Sequence, residues 1–114
     1  MAAGNARYFI LTGKVQGVMC RQTLMRAAQQ LNIDAGATNE KNKSVTLTLS
    51  GEPAKVAQLA TALSNTNTKL NSWGACVKTF EEVQQGKPLA QHQVHTGNVD
   101  NFKWNPNVQF YLTF

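Results

Sequence analysis

Long apolar runs are missing: no stretch of the 114 residues approaches the roughly 20 that a bilayer-spanning helix needs. The opening stretch, Met1 to Arg7, lacks the apolar core of a signal peptide, so a cytoplasmic protein is expected. Cysteine is scarce, with only Cys20 and Cys76, far apart in sequence. A disulfide-stapled scaffold is therefore excluded, and both thiols are expected to be reduced in that compartment. Acidic residues are also few, 6 against 11 basic ones, which leaves a formal charge of +5. That excess admits an anionic partner, but the basic residues are spread out, and the nearest pair, Lys41 and Lys43, reads as a solvated hairpin turn. Aromatic residues are absent from the candidate central strand, Ser44 to Leu49. The stacking platform of an RNA-recognition sheet is thereby lacking, and neither nucleic acid nor membrane is the expected partner. A diffuse positive potential suits the steering of a small phosphorylated molecule.

What is present has clear periodicity. A strand is expected over Tyr8 to Thr12, then a helix from Arg21 to Leu31 with Leu24, Ala28 and Leu31 on one face. A second strand, Ile33 to Asn39, reaches the Lys41-Asn42-Lys43 turn. The third alternates Val45, Leu47 and Leu49 against Thr46, Thr48 and Ser50. Pro53 is suited to open a second helix, where its missing N–H costs nothing. Val56, Leu59, Ala60 and Leu63 form that helix's apolar stripe, and the polar run Ser64 to Lys69 ends it. A fourth strand is expected over Trp73 to Phe80 and a last one over Val108 to Phe114. The order βαββαβ predicts a ferredoxin-like α+β sandwich, with an antiparallel sheet covered on one face by two helices. A single domain of this length buries a core without metal or disulfide. Gln84 to Pro106 has no period and reads as an inserted loop before the last strand, partly ordered by Phe102 and Trp104. It carries His92 and His95, but no third ligand at a suitable spacing, so no metal site is expected and both histidines read as surface residues.

The richest stretch is Gly13-Lys14-Val15-Gln16-Gly17-Val18-Met19-Cys20-Arg21. A chain that turns at glycines between a strand and a helix aims several backbone N–H groups one way, with the positive end of the helix dipole behind them. Arg21 adds a planar cationic fork suited to a phosphoryl group. The pattern fits a phosphate cradle, and it also fits an ordinary tight turn. Cys20 and Arg26 have the Cys-x5-Arg spacing of cysteine-dependent phosphatases. The residues between them contain no glycine and follow a helical pattern, so they cannot curl into that phosphate loop. Cys20 is expected to pack beneath the loop.

Val15-Gln16-Gly17-Val18-x-x-Arg21, with Gly13 ahead of it, resembles the signature of the acylphosphatase family. The resemblance runs from about Tyr8 to Val83 and again at the C-terminal strand. A Gly-Trp-Val-Arg-Asn-like run of that family corresponds to Ala35-Gly36-Ala37-Thr38-Asn39, of which the asparagine is kept. The resemblance implies metal-independent hydrolysis of the carboxyl-phosphate bond of a small-molecule acyl phosphate, with no cofactor, by a monomer. It implies that the backbone N–H groups of Gln16, Gly17, Val18, Met19, Cys20 and Arg21 hold the phosphoryl oxygens, that the Arg21 guanidinium pairs with two of them, and that Asn39 orients the attacking water. Asn39 on its own is also an ordinary turn residue. A non-catalytic phosphate- or acyl-phosphate-binding domain of the same fold is the alternative. Where the family has a tryptophan and an arginine this chain has Gly36 and Thr38, so the strand leading to Asn39 is expected to be looser.

Overall fold

The period-two pattern of the third strand organises the molecule. In the computed structural model, which describes residues 6–114, Val45, Leu47 and Leu49 turn inward from β3 (Val45–Ser50) and are fully buried. On either side lie β1 (Arg7–Lys14) and β2 (Asp34–Asn39), and β4 (Cys76–Val83) pairs with β1. The strand order is β4-β1-β3-β2-β5, antiparallel throughout, with a two-residue β5 (Val94–His95) on the free edge of β2. Helices α1 (Cys20–Gln30) and α2 (Pro53–Ser64) complete the ferredoxin-like α+β fold expected from the sequence, with Pro53 at the start of α2. Phe9, Leu11, Ala35, Ala37 and Val77 of the sheet close on Leu24, Ala28, Val56, Leu59 and Leu63 of the helices. Each such large aliphatic side chain contributes about 1.5–3 kcal/mol when taken from water. Among the described residues no helix is long and apolar enough to cross a membrane. The reading of the first residues as lacking a signal peptide's core lies, for residues 1–5, outside those described.

The C-terminal third departs from expectation. Val108 to Phe114 is not a strand; among the described residues its only ladder pairing is an isolated bridge between Phe110 and Asn71. Tyr111 and Leu112 donate their N–H groups to Leu70 O, and Ser72 N–H donates to Gln109 O. The alternation there made a strand plausible but could not supply a partner. The edge of β2 is already taken by Val94 and His95, paired with Ala37 and Gly36, from within the segment expected to be a loop.

His92 is the second correction. It is buried rather than on the surface, because it lies over the sheet face opposite the helices. Thr38 and Thr48 point to that face in register with their neighbours, Thr38 opposite Thr46 and Gly36 opposite Thr48. Their hydroxyls bond the two ring nitrogens of His92, Nδ1 at 2.9 Å and Nε2 at 2.7 Å. Thr48 Oγ1 also donates to Lys87 O, which leaves it accepting from Nε2–H. A Cβ on Gly36 would come within 2.6 Å of the ring. Gly36 is thus the floor on which His92 rests, and the strand leading to Asn39 is braced where it was expected to be slack.

Candidate active site

The loop between β1 and α1 depends on two left-handed residues, Gly17 at φ 75° and Met19 at φ 58°. Glycine adopts that region freely, whereas a residue with a Cβ is strained by roughly 1–2 kcal/mol. Met19 caps α1 without a side-chain hydrogen bond, and no acidic residue stands in the first turn. Thr23 N–H bonds back to Met19 O, and the amides ahead of it have no intrahelical acceptor. The helix therefore opens with unneutralised donors and with Arg21, the opposite of what its dipole favours.

Asn71 sets the direction of those donors. It is fully buried, and its Nδ2 donates to Val18 O at 2.9 Å, to Thr23 Oγ1 at 2.8 Å and, at 3.4 Å, to Met19 O. In a trans peptide the C=O and N–H point opposite ways. Anchoring the Val18 and Met19 carbonyls on Asn71 therefore turns the N–H groups of Met19 and Cys20 away from it. Asn71 Oδ1 accepts from Trp73 and Ala75 N–H, which holds this stretch as a turn and delays β4 to Cys76.

A cavity of about 130 Å³ lies at this point. Its walls come from the loop and helix start (Val15, Gly17, Met19, Cys20, Arg21), the end of β2 (Asn39) and the C-terminal segment (Trp104). Arg21 donates through Nη1 to Gln93 Oε1 at 3.1 Å, and its guanidinium carbon lies 5.9 Å from the centre of the Trp104 ring. The same Gln93 oxygen accepts the Asn39 N–H at 2.8 Å. Partial burial lowers the Arg21 pKa from its ordinary value, and a guanidinium stays charged regardless. Asn39 Oδ1 is buried and has no hydrogen-bond partner among the described residues. Such an atom calls for a water or a ligand.

Of the residues singled out in the sequence, Gly17, Met19, Cys20, Arg21 and Asn39 meet at this cavity. Gln16 and Val18 do not line it. Gln16 Nε2 instead donates to Glu40 O and Ser44 O, both at 2.9 Å, tying the loop to the β2–β3 turn. Val18 packs against the core. Burial pushes the Cys20 thiol up to about 12, so it is not a thiolate at neutral pH. Arg26, one and a half turns along the helix, pairs with Asp100 at 2.7 Å. The Cys20–Arg26 spacing therefore builds no anion loop. Among the described residues no three His, Cys, Asp or Glu side chains gather. Three contributors escaped sequence reading: Asn71, Gln93 and Trp104. Asn71 sits in a polar run with nothing local to mark it, and Gln93 in a segment without period. Trp104 was visible only as an ordering aromatic, and it does stack on Phe102 with centroids 5.2 Å apart.

The acylphosphatase family model matches residues 7–92. Among solved structures, the chain is similar to an acylphosphatase from Bacillus subtilis, with 19% identity and a TM-score of 0.57 over 76% of this chain and 90% of that one. It is also similar to an acylphosphatase from Coxiella burnetii, with 23% identity and a TM-score of 0.52 over 77% of this chain and 92% of that one. At these identities the two structures speak for the fold. No curated protein sequence matches the chain. The family match covers β1 through β4, and with them the loop, Arg21 and Asn39; the chain belongs to the acylphosphatase family.

Proposed function

We propose that this protein hydrolyses acyl phosphates without a metal, releasing a carboxylate and inorganic phosphate. The observation that carries this reading is the meeting of unneutralised helix-start amides, Arg21 and the unpartnered Asn39 Oδ1 at one cavity. The phosphoryl group sits on the loop amides, with the Arg21 fork on two of its oxygens in place of Gln93. Asn39 accepts a hydrogen bond from a water and aims it at phosphorus. A bond forms from water oxygen to phosphorus as the bond from phosphorus to the carboxyl oxygen breaks. The electron pair leaves with the carboxylate, which is stable enough to need no acid. The water's proton passes to a phosphoryl oxygen, because a neutral amide is too weak a base to keep it. Catalysis then rests on positioning and charge balance, the two things such transfers chiefly need.

The test is hydrolysis of benzoyl phosphate in EDTA. Wild type is expected to turn over. Arg21→Ala should lose both turnover and competitive inhibition by inorganic phosphate. Asn39→Ala should keep phosphate inhibition while losing about 10²- to 10³-fold in kcat, the usual cost of a missing oriented polar group. Phosphate binding by wild type without turnover would leave a binding domain and sink the hydrolytic reading.

A further inference from the structure

We propose that Trp104, with Phe102 stacked behind it, forms a shelf for the acyl half of the substrate and selects planar, aromatic acyl groups. The inference rests on the hydrolytic reading of the cavity and adds to it the chemistry of the leaving group. Both residues lie beyond residue 92, where the family match ends, so the shelf is built by this chain's own C-terminal segment.

The shelf is anchored. Val99 is fully buried, and its carbonyl accepts Trp104 Nε1–H at 2.8 Å. The adjacent Asp100 is tied to Arg26 of α1 at 2.7 Å. With its indole N–H satisfied on the protein side, the ring is held as a wall of the cavity and already lies over one planar group, the Arg21 guanidinium. Phe102 stacks against the Trp104 ring with centroids 5.2 Å apart and stiffens it, while remaining 39% exposed itself. The phosphoryl donors and the water acceptor come from the loop, α1 and β2. In the cavity, about 130 Å³, a phosphoryl group on the loop amides takes the side formed by the loop and the start of α1, so the acyl group lies along one of the remaining walls. Trp104 is the apolar, flat wall contributed from outside those elements. Stacking favours an aryl group there and offers little to a methyl.

The experiment compares kcat/KM for benzoyl phosphate and acetyl phosphate in wild type, Trp104→Ala and Trp104→Phe, with circular dichroism confirming the fold of each. Trp104→Ala should lower the benzoyl-to-acetyl ratio by about tenfold, and Trp104→Phe should restore most of it. An unchanged ratio in Trp104→Ala, whether both substrates fall together or neither does, overturns the shelf. A readout free of turnover separates this from the hydrolytic reading: the binding of phenylphosphonate against methylphosphonate. Wild-type preference for the phenyl compound, lost in Trp104→Ala, upholds the shelf even where nothing is hydrolysed. Hydrolysis without any aryl preference sinks the shelf alone.

Discussion

Gln93 Oε1 stands between the two residues on which the proposed chemistry depends, accepting from Arg21 Nη1 and from the Asn39 N–H. A neutral oxygen can yield Arg21 to a phosphoryl group; a charged one would compete with it. Gln93→Glu should therefore raise KM for an acyl phosphate by roughly tenfold or more, and by more than Gln93→Ala does. Lowering the pH toward the carboxylate range should relieve the effect, and a KM equal to that of Gln93→Ala would refute the competition. Cys20 makes the opposite kind of prediction. With its thiol buried and pushed up to about 12, iodoacetamide at neutral pH should label Cys76, which is partly exposed, well ahead of Cys20. Peptide mapping by mass spectrometry reads the order, and preferential loss of Cys20 would revive a nucleophilic cysteine. At this scale Arg21 and Asn39 were legible because each belongs to a short local motif. Asn71 and Gln93 were not, since their partners lie 48 and 54 residues away in sequence.

At the scale of elements, β2 is held from both sides. Ala35 and Ala37 face the helices, Gly36 and Thr38 receive His92, and β5 pairs along the strand's edge at Gly36 and Ala37. Both ring nitrogens of His92 are bonded, so the ring cannot swing aside for a new methyl group. Gly36→Ala should cost about 1–3 kcal/mol, the usual penalty for overpacking a tight site, read as a lower urea midpoint. The same packing creates an acid sensitivity. Desolvation, with Lys87 nearby and only partly offset by Glu40, holds His92 down to about 4, against 6.5 for a free imidazole. Between those values the unfolded chain binds a proton that the folded one refuses, so stability is full above about 6.5 and falls as pH drops toward 4. Glu40 and Glu82, hydrogen-bonded to Lys87 and Arg7, are held below the usual carboxylate range and act only at lower pH. A urea midpoint at pH 5 equal to that at pH 7 would contradict this account.

For the molecule as a whole, the formal charge of +5 favours the approach of the anionic substrate proposed above. Added salt should raise KM for an acyl phosphate dianion severalfold while leaving kcat nearly constant, because screening acts on encounter and binding rather than on the preorganised site. A kcat that falls in step would show that salt disturbs the cavity itself. Which features could be foreseen follows from the range of the forces involved. The alternation of β3, the stripes of α1 and α2 and Pro53 at a helix start act over a few residues, so the sequence by itself determined βαββαβ and the glycine-bearing turn between β1 and α1. The C-terminal third obeyed no such rule. Val108 to Phe114 carries a strand's alternation and forms a single bridge, while Val94 and His95, in an aperiodic stretch, took the edge of β2. Where a segment docks depends on which edges and faces the rest of the chain leaves open. Only the tertiary structure decided that His92 would brace the strand bearing Asn39, that Asn71 would turn the loop carbonyls inward, and that Trp104 would close the cavity, because each is a contact between residues whose separation no local pattern spans.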